Sequence, residues 1–291
     1  MVEKRKKSKT VLMNGIEKYL SAGIVSKMIV VLWCMFLIFA IGWIFLASVS
    51  SARDITQGQL LATGFYFENF TNIIEKYHIL QYYGNSLLYT TTACIGLILL
   101  GAPASYALAN YRFRGRKIIQ TAYASSMGLP AIMLMIPMFV MLSGLKLANN
   151  TVMFILIYIC ISMPFTIFYL SGFFASKPKE IQESALTEGC THIKAFWMVV
   201  FPTAQPGIIT VTIFNFIGLW NEYMWASIFV NSGNTRPLSL GLKAILESMR
   251  LKSDWGALMA AVVLVFVPTF VLYIFLAERI MVGMTSGAVK G

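Results

Sequence analysis

Residues 152–175 read VMFILIYICISMPFTIFYLSGFFA, a run without one charged side chain. The hydrocarbon core of a bilayer is about 30 Å thick, and roughly 20 apolar residues of α-helix cross it. Five further stretches have a similar length and composition: 28–50, 83–109, 118–143, 206–230 and 257–277. None of them alternates between polar and apolar residues, which argues against a transmembrane barrel. The pattern predicts an all-α, polytopic membrane protein with about six transmembrane helices.

The composition of the whole chain agrees with this prediction. Of 291 residues, 58% are hydrophobic and only 12% are charged, against about 45–50% and about 25% in soluble domains. These values exclude an ordinary soluble enzyme, a disordered chain and a disulfide scaffold. The net charge of +11 has a topological explanation, because Lys and Arg collect in cytoplasmic loops. Nucleic acid is therefore not an expected partner.

The distribution of Lys and Arg predicts the orientation in the cell (plasma or inner) membrane. If the N-terminus is cytoplasmic, the inner segments are 1–27, 110–117, 176–205 and 278–291, and they hold 16 of the 23 basic residues. Both termini are then cytoplasmic. The predicted organisation is a basic N-terminal segment (1–27) followed by one six-span domain (28–291). This domain contains an inner loop at about 176–205 and a C-terminal tail at about 278–291.

The sequence lacks the motifs of an ATPase and of a metal site. It contains no G-x-x-x-x-G-K-[ST] loop, and its four Cys and two His residues have no metal-ligand spacing. We therefore expect no catalytic residue and no cofactor in this chain, and any ATP hydrolysis would occur in another polypeptide. Glu222 is the one carboxylate inside a predicted span. A single carboxylate is thin support for the alternative, an ion-coupled secondary transporter.

The inner loop is predicted to form a short helix–turn–helix at the cytoplasmic surface. Ser176 can cap the first helix, and Gly189 can end it in the left-handed conformation. Thr191 can cap a second helix. An apolar face follows on this second helix: Ile193, Phe196, Trp197 and Val200. The loop could rest on lipid headgroups, but its small tip (Ser184, Ala185, Gly189) favours a docking element.

The same loop resembles the EAA loop of ABC importer permeases. Glu183-Ser184-Ala185 is followed after three residues by Gly189, and after nine more by Val199-Val200-Phe201-Pro202. The family pattern is E-A-A, three residues, G, nine residues and I-x-L-P, so Ser184 is a mild departure. Other stretches are similar to the carbohydrate branch that contains the smaller maltose permease subunit: Asn85-Ser86-Leu87, residues 105–116, and Trp220-Asn221-Glu222-Tyr223.

The resemblance implies a type I permease fold and a set of partners. These are a second homologous permease, which makes a heterodimer, a cytoplasmic ATPase dimer that binds ATP and Mg²⁺, and an extracellular or periplasmic sugar-binding protein. The coupling helix implied by the resemblance consists of Glu183, Ser184, Ala185, Leu186 and Gly189. A C-terminal tail is also implied to reach the ATPase: Gly287, Ala288, Val289, Lys290 and Gly291.

Five residues are candidates for a sugar path: Asn85, Trp220, Asn221, Glu222 and Tyr223. Sugars are commonly held by aromatic faces and by hydrogen bonds to polar side chains, which these residues could supply. Aromatic residues in membrane proteins also pack or mark the interface. A purely structural role for the five residues therefore remains open.

Overall fold

The computed structural model describes the backbone of residues 2–178, 180–230 and 232–288. Side chains are described between residues 24 and 274, except at 179, 231, 250–252 and 272. This part of the chain contains helices and no strand. The helices are α1 (Val2–Ser48), α2 (Ala52–Thr56), α3 (Glu68–Tyr77), α4 (Ile79–Asn110), α5 (Arg116–Ser126), α6 (Ala131–Gly144), α7 (Thr151–Ala175), α8 (Glu180–Thr187), α9 (His192–Ala195), π1 (Phe196–Val200), α10 (Phe201–Thr203), α11 (Gln205–Trp220), α12 (Met224–Phe229), α13 (Leu238–Lys252) and α14 (Trp255–Ala288).

The contacts divide the chain into two units, Met1–Phe70 with Asp254–Val263, and Thr71–Ser253 with Leu264–Gly291. In the first unit, the side chain of Asn69 holds the end of α1. Its Nδ2 donates to the carbonyl oxygens of Ser48 and Ser50 at 2.9 Å each. Gly256 lies directly against this contact, because a Cβ there would come within 2.7 Å of Asn69 Nδ2 and of the Ser50 carbonyl.

In the second unit, α4, α7 and α11 pack against one another. Small residues let these helices approach closely, as is common between membrane helices. A Cβ on Gly101 of α4 would lie 2.9 Å from Thr166 Cγ2 of α7, and a Cβ on Gly207 of α11 would lie 2.6 Å from the Phe173 ring of α7. Aromatic side chains pack between α4 and α7, where the ring centroids of Tyr89 and Phe154 lie 5.2 Å apart.

Three stretches of the described chain are long and apolar enough to cross a membrane: Ile24–Ser48, Ile79–Asn110 and Thr151–Ala175. They correspond to predicted spans one, two and four. Predicted span six lies inside α14, whose segment Trp255–Val271 is a shorter apolar helix. The prediction of an all-α membrane protein is confirmed.

Predicted spans three and five are not continuous helices. Span three is the bent pair α5 and α6, which meet at 100°. Pro130 has extended backbone angles (φ −61°, ψ 117°) immediately before α6, and its ring nitrogen has no hydrogen to donate to a preceding turn. Around span five, residues His192–Thr203 meet α11 at 77°, with Ala204 and Pro206 at the break. The helix α11 ends at Trp220 and α12 begins at Met224, so Glu222 lies in the break between these two helices.

Candidate functional site

The first arm of the inner loop is α8, and its C-terminal end has a Schellman arrangement. The N–H of Cys190 donates to the Ala185 carbonyl at 3.1 Å, and the N–H of Gly189 donates to the Leu186 carbonyl at 3.0 Å. Gly189 has a φ of +87°, which glycine adopts without the steric cost that a Cβ brings. The predicted helix end at Gly189 is confirmed.

The predicted start of this arm is wrong. Ser176 ends α7, and its hydroxyl donates to the Phe173 carbonyl at 2.7 Å instead of accepting from a following N–H. The first arm therefore begins at Glu180. Serine bonds to preceding carbonyls as readily as it caps a following helix, and the sequence does not distinguish the two uses.

The second arm begins where the sequence predicts. The Thr191 hydroxyl accepts a hydrogen bond from the Lys194 N–H at 3.3 Å. The predicted apolar face is only half correct, because Phe196 and Val200 are buried but Ile193 is 75% exposed and Trp197 is 37% exposed. The π-helical turn Phe196–Val200 changes the angle between successive side chains, so one helical period does not describe this arm.

The tip of the loop presents a mixed surface to solvent. Glu183, Ser184 and Gly189 are exposed, whereas Ala185 is buried and Leu186 is half-buried. A Cβ on Gly189 would meet nothing within 4 Å. The predicted coupling residues thus form one short exposed surface that another protein could contact, backed by a buried alanine.

The loop is anchored to the C-terminal end of α4 by a polar cluster. Gln182 Nε2 donates to the Tyr111 hydroxyl at 2.6 Å, and the same hydroxyl lies 3.1 Å from His192 Nδ1. Sequence reasoning gave these three residues no role. A signal was present at Gln182, because a polar residue three positions before the buried Ala185 lies on the same face of the helix.

Apolar contacts complete this anchor. The Phe196 ring centroid lies 5.0 Å from that of Tyr106 on α4 and 6.2 Å from that of Phe174 on α7. A cavity of about 20 Å³ lies beside these rings, lined in part by Tyr106, Asn110 and Gln182. This volume is the size of one water molecule, so the cavity is too small to hold a sugar.

Glu222, a candidate of the sugar path, binds groups of its own chain. Its carboxylate accepts from the N–H of Trp225 at 2.7 Å, from the N–H of Ala226 at 3.1 Å and from the Tyr158 hydroxyl at 3.2 Å. These backbone groups are the free donors at the N-terminus of α12, which an acidic group stabilises. In this structure Glu222 therefore caps a helix.

The other four candidates lie at the ends of α4 and α11. Asn85 Nδ2 donates to the carbonyl oxygens of Asn234 and Arg236 at 2.9 Å each. Trp220 is buried, and its ring packs against Phe216 at 5.6 Å. Asn221 is exposed and Tyr223 is half-buried, and the Tyr223 hydroxyl accepts from Lys243. Contact of any of them with a substrate stays a prediction.

The predicted ATPase-contacting tail, residues 287–291, lies outside the residues whose side chains the structure describes. Gly287 and Ala288 end α14, and their side-chain surroundings lie outside the described residues, as do Val289, Lys290 and Gly291 altogether.

In the part of the chain that the structure describes, these features define an all-α membrane protein with an exposed inner loop between α7 and α11. Residues 98–281 match the family model of the binding-protein-dependent transport system inner membrane component, and the chain belongs to this family. The family consists of permease subunits of ABC transporters, which are not themselves the ATPases.

Named relatives support the assignment. The chain is 32% identical to the diacetylchitobiose uptake system permease protein NgcG of Streptomyces coelicolor, over 91% of this chain and 88% of that protein. It is 28% identical to the trehalose transport system permease protein SugB of Mycobacterium tuberculosis, over 86% and 91%. A crystal structure of a bacterial ABC transporter involved in the import of alginate contains a similar chain, with a TM-score of 0.77, 25% identity and coverage of 88% and 95%.

Proposed function

We propose that this chain is the membrane-spanning subunit of an ATP-driven importer for a sugar or oligosaccharide, and that it forms half of the translocation path. The relatives named for diacetylchitobiose and trehalose uptake support the substrate class, and so does the alginate importer. The second half of the path would come from a homologous permease. A binding protein outside the membrane would deliver the sugar.

The observation that carries this proposal is the exposed tip of the inner loop. Glu183, Ser184 and Gly189 form a surface to which a cytoplasmic ATPase dimer with bound ATP and Mg²⁺ would dock. ATP can shift the membrane helices only if the docked loop fits the closed ATPase better in one membrane state than in the other. The proposal requires the orientation predicted from the distribution of Lys and Arg, in which the inner loop and both termini face the cytoplasm.

The test is co-purification of the wild-type chain and two Gly189 variants in mild detergent. Gly189→Trp should abolish recovery of the ATPase, because the new ring projects from the tip into the space the partner needs. Gly189→Ala also places a Cβ on a residue with positive φ, which strains the backbone, but its side chain is small. This variant should therefore retain most of the ATPase. Equal recovery with Trp and wild type would contradict docking at this tip.

Uptake measurements separate this function from an ion-coupled carrier. Vesicles that contain the chain with its co-purified subunits should take up labelled diacetylchitobiose or trehalose only with ATP, and vanadate should block the uptake. Uptake by this chain alone, driven by a proton gradient, would contradict the proposal. The capping bonds of Glu222 already supply a structural reason for a carboxylate at that position.

A further inference from the structure

One tyrosine hydroxyl contacts both arms of the inner loop. Tyr111 Oη accepts from Gln182 of α8 at 2.6 Å and lies 3.1 Å from His192 Nδ1 at the start of α9. The two arms are separated in the chain by the turn at Gly189. A single side chain thus joins the helix that carries Glu183 to the helix that follows the turn.

The position of this hydroxyl is fixed from the α4 side. Tyr111 caps α4, with its N–H bonded to the Ala107 carbonyl at 3.0 Å. Its ring packs edge-on against Tyr106 at 5.8 Å and against His192 at 5.7 Å. Edge-to-face ring pairs and short hydrogen bonds are directional. A displacement of either arm would therefore pull on the end of α4.

We infer that Tyr111 is a positioning residue that transmits movement of the inner loop to α4. The inference rests on the proposed function, in which the ATPase moves this loop. The Phe196 contact with Tyr106 also joins the loop to α4, but an apolar contact permits sliding, whereas the phenol with its two polar partners fixes the register.

Tyr111→Phe tests the inference, because it removes the hydroxyl and keeps the ring. The matched control is Tyr123→Phe, which removes a hydroxyl from a half-buried tyrosine of α5. Hydrogen exchange is measured on the full chain in detergent. In Tyr111→Phe, amides of both 180–187 and 192–195 should exchange about 3- to 10-fold faster, the factor that corresponds to one net hydrogen bond. They should be unchanged in Tyr123→Phe, and unchanged exchange in Tyr111→Phe would overturn the anchor.

A second readout tests transmission in the assembled complex. An environment-sensitive dye is attached at Leu88→Cys on the exposed face of α4, after the four native cysteines are replaced. ATP with vanadate should change its emission in the wild-type complex. In Tyr111→Phe the ATPase should still co-purify, but the emission change should fall by about half or more.

The outcomes separate the two proposals. A full dye response in Tyr111→Phe would overturn transmission through this residue and leave the proposed function intact. If no ATPase is ever recovered with the wild-type chain, the proposed function fails and the transmitting role fails with it. The exchange measurement needs no ATPase, so it decides in either case whether Tyr111 anchors both arms.

Discussion

At the scale of single residues, many polar side chains in the described part of this apolar chain form hydrogen bonds with N–H and carbonyl groups of its own backbone. Glu222 and Asp54 are two carboxylates that do this. Asp54 is 2% exposed and accepts from both the hydroxyl and the N–H of Thr63, at 2.6 and 3.0 Å. A carboxylate that accepts hydrogen bonds from backbone N–H groups stabilises local structure, and this role does not depend on contact with a substrate.

Glu222→Gln should loosen α12. A glutamine offers one acceptor oxygen where the carboxylate offers two, so one of the N–H groups of Trp225 and Ala226 loses its partner. A cost of about 1–2 kcal/mol corresponds to about 5- to 30-fold faster amide exchange in 224–229. The control is Glu247→Gln on α13, whose exposed carboxylate lies 4.0 Å from Lys243. Unchanged exchange in 224–229 would contradict the capping role of Glu222.

The Asp54 contact should make stability depend on pH. The Thr63 hydroxyl and N–H hold the pKa of the Asp54 carboxyl below its ordinary value. A lowered folded-state pKa stabilises the protein above the unfolded pKa of about 3.9, and this contribution is lost as pH falls through the folded pKa. Asp54→Asn should lower the Tm at pH 6, and the difference from wild type should close as the pH falls below 4. A constant difference at every pH would contradict this origin.

At the scale of helices, close approach at glycine holds α7 and α11 together. A Cβ on Gly207 would overlap the Phe173 ring, whereas a Cβ on Gly218 of the same helix would meet nothing within 4 Å. The two positions are therefore a natural pair for comparison, because the change in helix propensity is the same in both.

Gly207→Ala should destabilise the protein by about 1–3 kcal/mol, because the buried Phe173 ring must leave its rotamer or push the helices apart. Gly218→Ala should be neutral or should stabilise by up to about 1 kcal/mol, since alanine is the better helix former. Thermal unfolding of the two purified variants in detergent measures both effects. Shifts of equal size and sign would exclude close packing at Gly207 as the cause.

The sequence predicts helices better than it predicts how they bend. Spans one, two and four were recognised from length and hydropathy, and Gly189 and Thr191 marked loop boundaries because their roles are local. The bends at Pro130 and Ala204 depend on which tertiary contacts replace the lost backbone bonds, and the sequence does not contain that information locally. For the same reason, the sequence does not predict the π-helical turn. Nor does it predict the contact between Tyr111 and Gln182, two residues that are 71 positions apart in the chain.

At the scale of the whole molecule, the proposed transport function requires that the chain insert into the membrane in one defined orientation. The inner loop can receive an ATPase only if it is cytoplasmic. Lys and Arg predict this orientation, because the segments assigned to the cytoplasm carry 16 of the 23 basic residues. The apolar helices are compatible with either direction of insertion.

Labelling at the two ends of α7 tests this orientation directly. With 25 residues, the helix is about 37 Å long and exceeds the roughly 30 Å hydrocarbon core. Ala148 before it and Thr187 in the loop after it are both exposed. In a background without native cysteines, a membrane-impermeant maleimide added to intact cells should label Ala148→Cys and not Thr187→Cys. It should label both once the cells are permeabilised and the docked ATPase has been stripped from the membrane. Labelling of Thr187→Cys alone in intact cells would invert the topology and remove the loop from reach of any cytoplasmic ATPase.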